Sequence, residues 1–152
     1  GEPRAATYRE GDFDGDGTSD ITVFRPSTGN WFTFQSGSNT VLIDQFGQAG
    51  DIPVAGDYDG DRLTDTAIYR PSLGQWWFKR STNGSNFAST FGTSTDRPVP
   101  GDYDKDGKHD FAFHRPGTNE WFVARSADSY GSFFSVPFGS AGDIPVGVQV
   151  NP

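Results

Sequence analysis

The sequence repeats with a period of 45 residues, and this repeat constrains the fold more than any other feature. The segment Gly-Asp-Phe-Asp-Gly-Asp at residues 11–16 recurs in closely similar form at 56–61 and 101–106. An Arg-Pro pair and a tryptophan follow each copy at the same distances: Arg25-Pro26 and Trp31, Arg70-Pro71 and Trp76, Arg115-Pro116 and Trp121. We therefore expect one domain over residues 1–152, built from repeats at approximately 11–55, 56–100 and 101–147.

Each repeat is predicted to form four short strands. Twenty glycines and ten prolines favour turns and short strands over helices. In the second repeat we expect strands near residues 52–56, 65–70, 75–80 and 86–91. A four-stranded unit of about 45 residues has the size of a propeller blade. The predicted fold class is all-β, a β-propeller of four-stranded antiparallel blades, and a solenoid of antiparallel hairpins is the competing architecture.

Each repeat also carries the pattern D-x-D-x-D-x-x-x-D. Its members are Asp12, Asp14, Asp16 and Asp20, then Asp57, Asp59, Asp61 and Asp65, then Asp102, Asp104, Asp106 and Asp110. Alternating carboxylates on a tight loop converge on one point, and calcium takes six to eight oxygen ligands, whereas magnesium demands a tighter octahedron. By analogy with such loops, a backbone carbonyl comes from the residue two before the last aspartate: Thr18, Leu63 or Lys108. The sequence thus predicts about three Ca²⁺ ions per chain.

Two other interpretations of the aspartates are weaker. Aspartate is an ordinary turn residue, but these arrays hold twelve of the twenty acidic residues and would repel one another without a counter-ion. Three calcium ions would take the formal net charge from −8 to −2, so we expect folding to depend on the metal. An EF-hand needs a glutamate at loop position 12, where Val23, Ile68 and Phe113 stand. Arg62 replaces the glycine that follows the third aspartate in the other loops, so the middle loop is expected to be strained or weaker.

The pattern resembles the FG-GAP/VCBS repeats, the calcium-bearing propeller repeats of integrin α-subunit heads and of many bacterial surface and secreted proteins. The residues that carry the resemblance are Phe46-Gly47 and Gly50-Asp51-Ile52-Pro53, followed by the aspartate loop, and the combination runs from about residue 11 to 146. The resemblance implies that each loop joins the innermost strand of a blade to the second strand. It says little about function, because the family serves adhesion, sugar binding and enzyme scaffolding.

The number of repeats raises the question of ring closure, since propellers close with about four to eight blades. Residues 144–150 look like a further innermost strand, although Val148 and Gln149 stand where another loop would begin. We expect either a homodimer, in which each tail completes the first blade of the other chain in a six-bladed ring, or the remainder of a longer propeller.

Charge and composition exclude several classes of function. The net charge of −8 disfavours nucleic acid, and no stretch approaches the roughly 18 apolar residues of a membrane span. Neither disulfides nor thiolate metal sites can form without cysteine. No arrangement of nucleophile, histidine and acid recurs, so an enzyme is not expected.

The repeated tryptophans and arginines have structural explanations as well as functional ones. Trp31, Trp76 and Trp121 could stack on sugars, but packing between blades explains their recurrence more simply. The arginines before proline are expected to pair with a neighbouring aspartate loop or to cap backbone carbonyls. The predicted function is therefore a calcium-stabilised structural, adhesive or self-assembling module. The alternatives are a multivalent lectin that binds glycans and a scaffold fragment of a larger secreted enzyme. An extracellular location is expected because such modules bind calcium at ~10⁻⁴ to 10⁻³ M.

Overall fold

The computed structural model describes residues 8–146, which form three antiparallel β-sheets. The first sheet contains β1 (Ile21–Arg25), β2 (Asn30–Gln35) and β3 (Thr40–Gln45). The second contains β4 (Ile52–Pro53), β5 (Thr66–Arg70), β6 (Gln75–Lys79) and β7 (Asn86–Thr90). The third contains β8 (Arg97–Pro98), β9 (Phe111–Arg115), β10 (Glu120–Ala124) and β11 (Phe133–Pro137). The only helical segment in this part of the chain is a 3₁₀ turn at Ser126–Asp128.

The second and third sheets confirm the predicted all-β repeat of four antiparallel strands. Their strands lie side by side in chain order, β4-β5-β6-β7 and β8-β9-β10-β11. The first strand of the repeat is shorter than expected, and in the second repeat a single bridge between Gly56 and Asp65 continues its ladder beyond Pro53. Within the described residues the first sheet has no such strand, since residues 8–10, the described part of the equivalent segment, form none.

Tight turns fix the hairpin between the second and third strands of each repeat. The turn ends in a left-handed residue, at Gly29 (φ 70°), Gly74 (φ 62°) and Asn119 (φ 57°), a conformation that glycine and asparagine accept most readily. At Gly74 space is also limiting, since a Cβ atom there would collide with the carbonyl oxygen of Gly92. The turn chemistry therefore sets the register of the hairpins.

The three sheets pack face to face in chain order, and aromatic side chains fill the space between them. Trp76 of the second sheet stacks on Phe111 of the third, with ring centroids 4.9 Å apart. Trp31 and Phe46 of the first repeat pack against Ile68 of the second. Burial of such large rings supplies most of the apolar area in a chain with few aliphatic residues. The sheets do not close into a ring within residues 8–146.

The predicted closing strand falls at the limit of the described residues. Residues 144–146 form no strand, and the side chains of Ile144 and Val146 are exposed. Residues 147–150 lie outside the part of the chain that the structure describes. No helix within residues 8–146 is long and apolar enough to cross a membrane.

Candidate metal centres

The aspartate loops occupy the position that the resemblance implies. Residues 57–64 connect β4 to β5, and residues 102–109 connect β8 to β9. Antiparallel bridges close the base of each loop, between Gly56 and Asp65 and between Gly101 and Asp110. The loop at residues 12–19 leads into β1 in the same way. The strand ladder therefore holds the first and last aspartates of each array at one base.

The first aspartate of each loop is fixed by the backbone of the loop itself. Asp57 accepts hydrogen bonds from the amides of Gly60 and Arg62, both at 2.8 Å. Asp12 does the same with Gly15 at 2.7 Å and Gly17 at 2.9 Å. Asp12 and Asp57 are fully buried. These amides pull the loop around the carboxylate and leave its remaining lone pairs available to a cation.

The last aspartate ties the loop to the strands on both sides. Asp65 accepts the amide of Tyr58 at 2.8 Å with one oxygen and that of Ser81 at 2.9 Å with the other. Asp110 repeats this arrangement with Tyr103 and Ser126 at 2.7 and 2.8 Å. The carboxylate therefore couples the loop to the end of the third strand of its repeat.

A serine that sequence reasoning missed completes each cluster. Ser36, Ser81 and Ser126 recur with the 45-residue offset, directly after or close to the end of the third strand of each repeat. The Ser126 hydroxyl lies 2.7 Å from carboxylate oxygens of both Asp106 and Asp110, and the Ser81 hydroxyl donates to Asp61. The recurrence was the signal available in the sequence, but a lone serine carries little information beside four aspartates.

Three of the four predicted aspartates converge in every loop. Within each set one carboxylate oxygen per residue lies within 4.8 Å of the others. The sets are Asp12, Asp14 and Asp20; Asp57, Asp59 and Asp61; and Asp102, Asp104 and Asp110. Asp16, Asp65 and Asp106 complete the predicted arrays but do not belong to these sets.

The residues predicted to offer a carbonyl ligand use their backbone amides as hydrogen-bond donors within the loop. The N–H groups of Thr18, Leu63 and Lys108 donate to the third aspartate of their own loops, at 2.8, 2.9 and 2.9 Å. These bonds fix the peptide that follows the third aspartate. The carbonyl ligand itself stays a prediction.

Burial and crowding of carboxylates raise the pKa values of Asp57 and Asp65 in the middle loop. Burial, together with the charges of Asp65 and Asp61, raises the pKa of Asp57 to about 7. Burial also raises the pKa of Asp65 to about 6, helped by the charge of Asp59. Within residues 8–146 neither Asp57 nor Asp65 forms an ion pair with a basic side chain, so the group that would lower their pKa values is a bound cation.

Two loop residues adopt a backbone conformation that glycine holds elsewhere. Arg62 has φ 71°, where Gly17 and Gly107 stand at 89° and 86°. Lys105 has φ 62° at the position of Gly15 and Gly60. The departure at Arg62 was predicted from the sequence, and the departure at Lys105 was not.

Adjacent loops are joined by backbone hydrogen bonds. The carbonyl of Asp12 accepts the amide of Thr64 at 2.8 Å, and the carbonyl of Asp57 accepts the amide of His109 at 2.7 Å. Thr64 and His109 are equivalent positions, each directly before the last aspartate of its loop. Each loop thus contacts the next one along the chain through its own first aspartate.

The repeated arginines pair with a different partner from the one expected. Arg70 forms a bidentate ion pair with Asp51 at 2.8 Å, and Arg115 pairs with Asp96 at 2.9 and 3.0 Å. These aspartates belong to the turn before the innermost strand, where each also accepts a backbone amide. The expected pairing with an aspartate loop was wrong, because the arginine at the end of the second strand points to the start of its neighbour.

The repeated tryptophans are mostly buried. Trp31 and Trp76 lie in the core, and their indole N–H groups donate to the carbonyls of Phe46 and Phe91 at 2.9 and 2.8 Å. Trp77 and Trp121 are half-buried. Trp31 and Trp76 therefore offer no face on which a sugar could stack.

Comparison of the chain with protein-family models, with curated proteins and with solved structures found no match. The resemblance to FG-GAP/VCBS repeats therefore depends on the motif residues alone.

Proposed function

We propose that the chain is a calcium-binding β-propeller repeat module of the FG-GAP/VCBS type, with a structural or adhesive role outside the cell. The observation that carries the proposal is the threefold recurrence of a carboxylate cluster at the same place in the repeat. It is not an enzyme in this proposal, because its acids are committed to the loops.

The geometry of the clusters suits calcium. Calcium binds oxygen at about 2.3–2.6 Å, so its ligand atoms lie at most ~5 Å apart. Carboxylate oxygens within 4.8 Å of one another meet that condition. Serine hydroxyls, backbone carbonyls and water can complete a coordination number of six to eight, which a flexible loop supplies more readily to calcium than to magnesium.

The electrostatics of the clusters support a divalent cation. Asp12, Asp57 and Asp110 are each fully buried, and the raised pKa of Asp57 reflects the cost of that burial. Buried charges in proteins are normally paired with an opposite charge or with a metal. One divalent ion per loop would satisfy all three clusters together and lower the self-repulsion of the chain.

The packing of the sheets supports the propeller. Four-stranded antiparallel sheets stack face to face, and equivalent residues meet at both junctions between neighbouring sheets. The loops follow the same order and bond to one another through equivalent atoms. Radial repetition of such units is how propellers protect their sheet edges.

The test is calcium binding by the purified chain, followed by native mass spectrometry and calorimetric titration. We expect about three ions per chain, and chelation should lower the melting temperature. Asp57→Asn should remove one ion, whereas Asp128→Asn, at an exposed aspartate outside the loops, should leave the ion count unchanged. The proposal would be refuted if the chain binds no calcium at millimolar concentration, or if its melting temperature is unchanged by chelation.

A further inference from the structure

The two ends of the stack of sheets expose the apolar side chains that its interior buries. Large hydrophobic residues are exposed on the first sheet and on the third repeat, with one exception, Leu73, in the second. Those at the two open ends are Ile21, Val23, Phe34, Val41 and Ile43 on the first sheet, and Tyr103, Val136, Phe138, Ile144 and Val146 in the third repeat. Exposed apolar area of this extent marks an interaction surface.

The contacts between neighbouring sheets within the chain, here called the junctions, show which partner residues are missing at each end. Phe46 of the first repeat packs on Ile68 of the second, and Phe91 of the second packs on Phe113 of the third, with ring centroids 4.9 Å apart. Phe138 is the next residue in the first series, and it is 74% exposed. Val23 is the first residue in the second series; it is 57% exposed, whereas Ile68 and Phe113 are 1% and 2% exposed.

The glycine after each of these phenylalanines leads to the same conclusion. A Cβ at Gly47 would lie 3.3 Å from Ile68, and one at Gly92 would lie 3.2 Å from Phe113. Gly139, the third of the series, has only Asp143 near it. Beside it opens a cavity of about 400 Å³ lined by His114, Trp121, Phe138 and residues 143–146. This cavity lies where the side chain equivalent to Val23 would enter.

The Asp–Arg ion pairs follow the same pattern: among the described residues two pairs form, and one unpaired aspartate and one unpaired arginine remain at opposite ends. Asp51 pairs with Arg70 and Asp96 pairs with Arg115, while their carboxylates are 1% and 0% exposed. Asp143 and Arg25 are the remaining members of the two series, and within residues 8–146 neither forms an ion pair. Their charges are opposite, as they are in the two pairs that form.

In the part of the chain that the structure describes, the edge of β1 lacks the backbone partner that its equivalents have. Val54 donates its amide to Ala67 at 2.9 Å, and Val99 donates to Ala112 at 2.8 Å, which places residues 51–54 and 96–99 beside β5 and β9. The sequence Asp-Ile-Pro-Val of residues 51–54 recurs unchanged at 143–146. Its equivalent partner is β1, where Val146 would donate to Thr22.

The backbone hydrogen bonds between neighbouring loops of residues 8–146 also leave one donor and one acceptor without the equivalent partner. The carbonyls of Asp12 and Asp57 accept amides from the following loop. Within the described residues, the equivalent carbonyl of Asp102 and the equivalent amide of Ser19 have no such partner.

We propose that the third repeat of one copy packs against the first sheet of a second copy, so that two chains close one ring of six sheets. Residues 143–146 of each chain add a strand to β1 of the other, Phe138 packs on Val23, and Asp143 pairs with Arg25. Each copy holds both halves of the contact, so the interface is head-to-tail and two junctions close it. A ring of six sheets lies within the four to eight blades of closed propellers. The inference rests on the propeller packing proposed above.

Charge reversal at the two ends tests the inference directly. Arg25→Asp alone and Asp143→Arg alone should each weaken the dimer at least ~100-fold, because each leaves two like charges facing one another at both junctions. A mixture of the two variants should restore it, because one junction then pairs Asp with Arg and the other keeps the native pair. The two variants differ in mass, so native mass spectrometry in calcium identifies the mixed dimer.

The expected result is a wild-type species of twice 16.5 kDa, monomeric single variants and a mixed dimer. A wild-type chain that is monomeric at tens of micromolar in calcium would overturn the inference, and so would a mixture that stays monomeric. Circular dichroism of each variant shows that it is folded, which is expected because both positions lie at open ends. The ions bound per chain are counted in the same spectra, so a monomer with three ions refutes the ring and leaves the calcium proposal standing.

Discussion

Arg62 offers a test of the loop conformation that separates backbone strain from charge. It holds φ 71° in the middle loop, where the first and third loops have glycine. The left-handed region costs a non-glycine residue roughly 1–2 kcal/mol. Glycine loses about 0.4–1 kcal/mol more conformational free energy on folding, which offsets part of that gain. Arg62→Gly should therefore stabilise the calcium-loaded protein by about 0.5–1 kcal/mol.

The matched control is Arg62→Gln, which removes the charge but keeps the side chain in the left-handed region. Thermal and urea unfolding in saturating calcium should place Arg62→Gly about 2 °C above Arg62→Gln, given the size of the chain. Calorimetry should show tighter calcium binding by both variants, because the guanidinium no longer opposes a cation nearby. Lys105→Gly should reproduce the strain effect in the third loop.

Equal stability of the glycine and glutamine variants would refute the strain argument. It would mean that the loop relaxes out of the left-handed conformation when calcium is bound. Equal tightening of calcium binding by the two variants would attribute the weakness of the middle loop to the charge of Arg62 and not to strain.

Three further outcomes follow from the same structure. Ser81→Ala should weaken calcium binding by one loop and lower stability by about 1 kcal/mol, because its hydroxyl donates to a cluster carboxylate; calorimetry and chemical denaturation check both, and unchanged binding would exclude the serine from the site. The calcium-free protein should be more stable near pH 5 than near pH 8, because the pKa values of Asp57 and Asp65 are raised to about 7 and 6. The stability linked to these protons is fully present below about pH 4 and is lost as the pH rises through the two raised values. The calcium-loaded protein should show the opposite trend, and melting curves recorded across this pH range test both statements. Phe91→Ser should destabilise the single chain by about 3 kcal/mol, since it packs on the next sheet, whereas Phe138→Ser should reduce only association; equal unfolding midpoints for the two variants in dilute solution would contradict this.

The sequence predicted the repeat and its loops because their signals are dense and local. Four aspartates within nine residues, recurring three times, specify both a turn and a ligand set. The turn before the third strand of each repeat was predictable for the same reason, since glycine and asparagine are typical of a left-handed residue. The four strands of the second repeat lie within a few residues of their predicted bounds for the same reason.

Contacts between distant positions were not predictable in this way. The pairing of Arg70 with Asp51 joins residues 19 positions apart, and only the sheet register brings them together. The role of Ser81 depends on where the end of β6 meets the loop. A single sequence reports which residues recur but not which of them meet across a sheet.

The arrangement of the loops suggests that calcium binding and association are coupled. The carbonyl of the first aspartate links the first loop to the second and the second to the third. In the proposed dimer, the equivalent partner of the Asp102 carbonyl is the Ser19 amide of the second copy. The third loop is also the most open, since Asp102 is exposed whereas Asp12 and Asp57 are buried. Docking of the partner would order this loop, and coupling of this kind is reciprocal.

Calcium titration of Arg25→Asp alone and of its mixture with Asp143→Arg measures that coupling, because neither substitution lies in an aspartate loop. The mixture should bind the ion of the third loop about fivefold or more tightly than the monomeric variant, the lower limit of typical coupling between sites. Asp102→Asn introduced into both chains should abolish the difference, since it removes the ligand through which the junction acts on the ion. Identical titrations of monomer and mixed dimer would show that the third loop is already ordered within one chain, and that calcium organises each repeat independently of its neighbours.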